Sequence, residues 1–71
     1  MRAVLIDALQ KQYEAEIAAA DATIKLLLEN SVGVSEHLNH QKEFDSQLHK
    51  IAAAEEKLQV LKDYEIPKGV M

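Results

Sequence analysis

Two long runs of this chain carry apolar residues at the spacing of one helix face, and neither run contains Gly or Pro. In residues 3–29 the apolar positions advance by three or four residues: Ile6, Leu9, Tyr13, Ile17, Ala20, Ile24 and Leu27. In residues 37–64 a similar face contains Leu38, Phe44, Leu48, Ile51, Ala54, Leu58 and Leu61. This spacing predicts two amphipathic α-helices of similar length.

The segment between the two runs, residues 30–36, has the composition of a turn. Asn30 or Gly33 is suited to the left-handed conformation that ends a helix. Ser35 is a candidate N-cap for the second helix, with His37 and Asn39 as alternatives. A connection this short returns the second helix antiparallel to the first, so the sequence predicts an all-α, antiparallel two-helix hairpin.

The dipeptide Ile66-Pro67 is expected to end the second helix, because the residue before proline is disfavoured in the helical region. Residues 65–71 then form a short tail. If the turn centres on Gly33, residues that face each other have numbers that sum to about 66. Tyr13 then lies opposite Ala53 and Ala54, so a large side chain faces small ones, as close packing requires.

With 71 residues the chain is at most one small domain, and two parallel rods bury less surface than a sphere. Several apolar residues spread beyond a single seam, so one hairpin leaves part of them in water. We therefore expect a homodimer that forms a four-helix bundle or coiled coil, or docking onto another protein.

The helix ends away from the turn are the predicted partner-facing surface. This end is richer in bulky apolar residues than the alanine-rich middle, and it includes a tyrosine, a residue type enriched at interfaces. The predicted interface residues are Leu5, Ile6, Val60, Leu61 and Tyr64. The alternative is that these residues only close the open end of the hairpin itself.

Candidate chemistry is sparse along the chain. Glu36, His37 and His40 have helical spacing that suits a divalent metal, but a third strong ligand is lacking, so we predict no metal site. A two-helix rod offers no pocket to shift the pKa of a carboxyl group, so the acids near the middle are expected to form a solvated face. These acids are Glu14, Glu16, Glu55 and Glu56. We predict no catalytic residues, no cofactor and no enzymatic activity.

Charge and hydropathy disfavour two kinds of partner. The net charge is −4, and the basic positions Lys57, Lys62 and Lys68 are interrupted by acids, which disfavours nucleic acid. The longest apolar stretch, residues 17–28, contains Asp21 and Lys25, so no membrane span is expected. The start of the chain has no apolar core of signal-peptide length, and the absence of cysteine excludes a disulfide scaffold. A cytoplasmic location is expected.

Two segments, residues 32–37 (VGVSEH) and 55–61 (EEKLQVL), resemble a pattern in small helical proteins of T4-like tailed phages. In that pattern a Gly-x-x-Glu-His turn joins two helices, and an acidic-Lys-Leu stretch ends the second. The resemblance covers about half of the chain and departs from the pattern at Leu38, where proline is expected. It implies a phage accessory protein in the host cytoplasm, a virion component, or an accessory factor of DNA metabolism. It brings no catalytic residue.

Overall fold

A computed structural model describes residues 1–30 and 37–65 of the chain. Helix α1 spans Arg2–Glu29 and helix α2 spans His37–Leu61, followed by a single 3-10 turn over Lys62–Tyr64. At 1.5 Å per residue, the 28 residues of α1 extend about 42 Å. The described ranges contain no strand, and the two helices pack against each other along their length. The prediction of an all-α chain with two packed helices is confirmed.

The end of α1 differs from the expected left-handed geometry. Asn30 is extended, with φ −83° and ψ 130°, and its backbone N–H donates to the Leu26 carbonyl. The alternatives that placed a left-handed Gly33 and a Ser35 cap in the turn lie outside the described residues. Past α2, Glu65 is already extended, with φ −72° and ψ 150°, so helical structure has ended before Ile66-Pro67.

The outer surface of α1 is stabilised by charge pairs one turn apart. Lys11 Nζ lies 3.0 Å from Asp7 Oδ1, and Lys25 Nζ lies 2.9 Å from Asp21 Oδ2. In both pairs the acid precedes the base by four residues, the order that favours a helix by roughly 0.2–0.5 kcal/mol per pair. Both pairs lie within one helix, so they support α1 and do not hold it to α2.

The α1 side of the seam is the one that the apolar pattern predicts. All seven residues of the predicted face are half-buried or buried, and Ala20 and Ile24 are the most enclosed. The spacing of three and four residues therefore identifies the inward face of α1 from end to end.

The α2 side of the seam corrects the sequence prediction at two positions. Leu38 and Leu48 are exposed. His40, which is half-buried, and Gln47, which is buried, occupy inward positions instead. The inward positions then advance strictly by three and four residues: His40, Phe44, Gln47, Ile51, Ala54, Leu58 and Leu61. Gln47 is only 6% exposed, yet its amide is satisfied because Nε2 donates to Glu43 Oε2 at 2.6 Å.

Two contacts across the hairpin show the antiparallel arrangement. At the open end, Arg2 Nη2 donates to the Tyr64 carbonyl at 2.8 Å, and farther along, Lys57 Nζ lies 5.4 Å from the centre of the Tyr13 ring. Arg2 therefore places its charge beside the negative end of the neighbouring helix, which compensates for its position at the positive end of its own.

The inward residues of α1 and α2 pair one to one when they are taken in order from the open end. Each pair has residue numbers that sum to 67 or 68, from Ile6 with Leu61 to Leu27 with His40. This register is close to the predicted sum of about 66. It places Tyr13 opposite Ala54, which is only 1% exposed, so a large side chain faces a small one there, as the sequence predicts.

Candidate interaction surface

The five predicted interface residues at the open end divide into two groups. Leu5, Val60 and Tyr64 are exposed, as a partner-facing surface requires. Ile6 and Leu61 are half-buried and face each other in the seam, so they close the hairpin itself. The open end thus combines both of the roles that the sequence left open.

Val4 and Val60, two of the exposed apolar residues at the open end, point in divergent directions. Val4 lies two residues before Ile6, and Val60 lies two residues after Leu58, so each is about 200° around its helix from the seam. Both therefore lie on the outer faces of the hairpin, on opposite sides of the molecule. One flat partner surface cannot cover both.

A second group of exposed apolar residues lies at the turn end, and the predicted interface does not include it. Leu28, Leu38 and Leu48 are exposed and, together with Leu27 and Phe44, line an open groove of about 670 Å³. We call this feature the turn-end groove. Each of the three exposed leucines lies within two residues of an inward position, but none of them is needed to close the seam.

The geometry of an antiparallel pair explains why Leu28 and Leu48 share this groove. Leu28 follows the inward Leu27 by one residue, and Leu48 follows the inward Gln47 by one residue, so each is about 100° past the seam. The same rotation on two antiparallel helices leads to the same side of the hairpin. The two leucines therefore converge, whereas Val4 and Val60 diverge.

The rim of the turn-end groove carries charges of both signs. Lys42 and Asp45 line it, three residues apart on α2, and both are exposed. Within the described ranges neither belongs to an ion pair, in contrast to Asp7, Lys11, Asp21 and Lys25 of α1. Asp45 and Lys42 are therefore available to a partner.

One polar atom in the wall of this groove is unsatisfied. His40 Nε2 is buried, and among the described residues it has no hydrogen-bond partner. A buried nitrogen of this kind is poorly placed to take a metal from solvent. Glu36 and the side chain of His37, the other members of the possible metal set, lie outside the described residues.

The mid-hairpin acids do not form a shared carboxylate cluster in a pocket. Glu14 accepts a hydrogen bond from Gln10, and Glu16 accepts one from Gln12, in each case from the preceding turn of α1. Glu16 also lines a smaller groove of about 530 Å³, together with Lys50 and Lys57 of α2. All four acids of the predicted group, which also includes Glu55 and Glu56, are exposed.

Comparisons with protein-family models, curated proteins and solved structures found no match to this chain. The resemblance to small phage proteins therefore stays a prediction. In the described part of the chain, neither helix has the length and apolar character needed to cross a bilayer.

Proposed function

We propose that this chain is a non-catalytic protein–protein interaction module whose working unit is a homodimer. The observation that carries the proposal is the amount of surface that the hairpin leaves in water. Its accessible surface is 5835 Å², whereas a compact monomer of 7.9 kDa exposes about 4,400 Å². The excess, about 1,400 Å² per chain, is larger than the roughly 800 Å² that each partner buries in a standard-size interface.

The chemical character of the exposed residues supports association rather than mere elongation. Apolar side chains in the described ranges are exposed at both ends of the hairpin, including Leu28, Leu48, Val60 and Tyr64. Exposed apolar groups that lie together, as Leu28 and Leu48 do in the turn-end groove, mark interaction sites in soluble proteins. A second hairpin that packs alongside the first would form a four-helix bundle and remove such groups from water.

The proposal of a non-catalytic role rests on the placement of the acidic side chains. Acid–base catalysis requires a carboxyl group whose pKa is shifted by burial or by a close charge. Glu14, Glu16, Glu55 and Glu56 are all exposed, so none of them has the burial that such catalysis uses. Their arrangement suits a soluble outer face.

Sedimentation equilibrium tests the homodimer directly. Measured from about 1 µM to about 1 mM, it covers association free energies from about −8.2 to about −4.1 kcal/mol. We expect a mass of twice 7.9 kDa within this range, with circular dichroism showing mostly helix. A helical protein that stays at 7.9 kDa throughout would refute the homodimer.

A further inference from the structure

We propose that the turn-end groove is the surface on which a second copy of this chain docks, with the two grooves facing each other across a two-fold axis. This inference rests on the proposed homodimer and specifies which of the two exposed apolar regions forms it. The groove is defined by Leu27, Leu28, Leu38, Phe44 and Leu48, with Lys42 and Asp45 on its rim.

The shape of the two ends favours the turn end. Leu28 and Leu48 converge on one side of the hairpin and line a common groove, so a single partner surface can cover both. At the open end, Val4 and Val60 lie on opposite outer faces, and Arg2 is already bonded to the Tyr64 carbonyl. A partner that covers Leu5 and Val60, each one residue before an inward residue, would therefore leave Val4 in water.

The charges on the rim favour a second copy over a partner of another kind. A two-fold axis between residues 42 and 45 brings each Lys42 to the second copy's Asp45, so that two equivalent ion pairs form. A partner with a surface of one sign would leave either Lys42 or Asp45 facing a like charge. A second copy of the chain is complementary because each copy carries a positive Lys42 and a negative Asp45, three residues apart on one helix.

The apolar contact can be tested with a pair of variants matched for exposure. Leu48 is 48% exposed and Val60 is 51% exposed, in the middle and at the end of the same helix, so a charge at either site should leave the hairpin folded. We expect Leu48→Glu to raise the dimer dissociation constant at least about tenfold, and Val60→Glu to change it less than about twofold. Sedimentation equilibrium gives the constants, and circular dichroism verifies that both variants remain helical.

The rim charges allow a second test that does not depend on a loss of binding. Lys42→Glu makes the rim wholly acidic, and Asp45→Lys makes it wholly basic, so each variant should self-associate more weakly than the original chain. Mixed in equal amounts, the two variants should form a heterodimer whose stability falls as salt screens the pairs. Native mass spectrometry of the mixture identifies the heterodimer when one variant is isotopically labelled.

The outcomes separate this inference from the broader proposal. If the dimer forms but Val60→Glu dissociates it and Leu48→Glu does not, the groove assignment is wrong and the homodimer stands at the open end. If the charge-reversed variants show no preference for each other, the two-fold pairing of Lys42 with Asp45 is wrong. If the original chain is a monomer throughout, the homodimer itself fails.

Discussion

The close approach of the helices at Ala54 makes a sharp prediction about substitution by a larger residue. Ala54 is 1% exposed and lies opposite Tyr13, so a bulkier side chain there must push against packed neighbours. Ala52, two residues earlier on the same helix, is exposed. Substitution of either alanine by leucine adds the same three carbon atoms and changes helix propensity equally, so Ala52→Leu is the matched control.

The size of the effect follows from overpacking. Extra methylenes in a closely packed site typically cost about 1–3 kcal/mol, and a chain of this length has roughly 4–11 kcal/mol of total stability. For a small domain, 1 kcal/mol corresponds to about 4–8 °C in melting temperature. We therefore expect Ala54→Leu to lower the melting temperature by about 4–24 °C, while Ala52→Leu shifts it by only a few degrees.

Thermal unfolding followed by circular dichroism measures this difference. The experiment is best done at one fixed protein concentration, because association raises the apparent stability by mass action. If Ala54→Leu melts at the same temperature as Ala52→Leu, the helices do not approach closely at this position and the register that places Tyr13 opposite Ala54 is wrong.

Three further predictions concern the seam and its ends. Gln47→Leu should raise the melting temperature by about 4–8 °C, because the free energy gained by burying leucine exceeds the free energy lost with one amide hydrogen bond, and Glu43 remains solvated. An unchanged or lower melting temperature would contradict this balance. Ile24→Ala should lower stability by about 2–5 kcal/mol in urea titration, and a cost below about 1 kcal/mol would contradict its burial. Arg2→Gln should speed amide hydrogen exchange near Tyr64 without a large change in melting temperature, and unchanged exchange there would argue against their hydrogen bond.

The apolar pattern identified the seam of α1 completely but misassigned two positions of α2. The reason is that Leu48 is more hydrophobic than Gln47, although only position 47 continues the regular spacing back from Ile51 and Ala54. Helix geometry makes position 47 inward. A glutamine is tolerated there because its amide reaches Glu43 one turn earlier. Strict alternation of three- and four-residue steps back from Leu61 reaches both Gln47 and His40, whereas steps of either size also admit Leu48.

The candidate interaction surface was harder to predict from the sequence than the seam. The density of bulky residues drew attention to the open end, but density does not show whether side chains converge or diverge. That difference depends on rotation about two antiparallel axes, which becomes apparent only when the inward face of each helix is known. Once Gln47 rather than Leu48 is inward, Leu48 becomes a free group on the same side of the hairpin as Leu28 and lines the same groove.

The hydrogen bond between Arg2 and Tyr64 also has a consequence for the order in which the hairpin assembles. Its partners are 62 residues apart in the chain, whereas Leu27 and His40 at the other end are separated by 13. Loop-closure entropy grows with the logarithm of separation, so direct closure at the open end costs about 1.4 kcal/mol more than closure beside the turn. We expect the helices to zip from the turn outwards, with the open end closing last and fraying first. The turn-end groove is then among the earliest tertiary features to form, before the full length of the seam has closed.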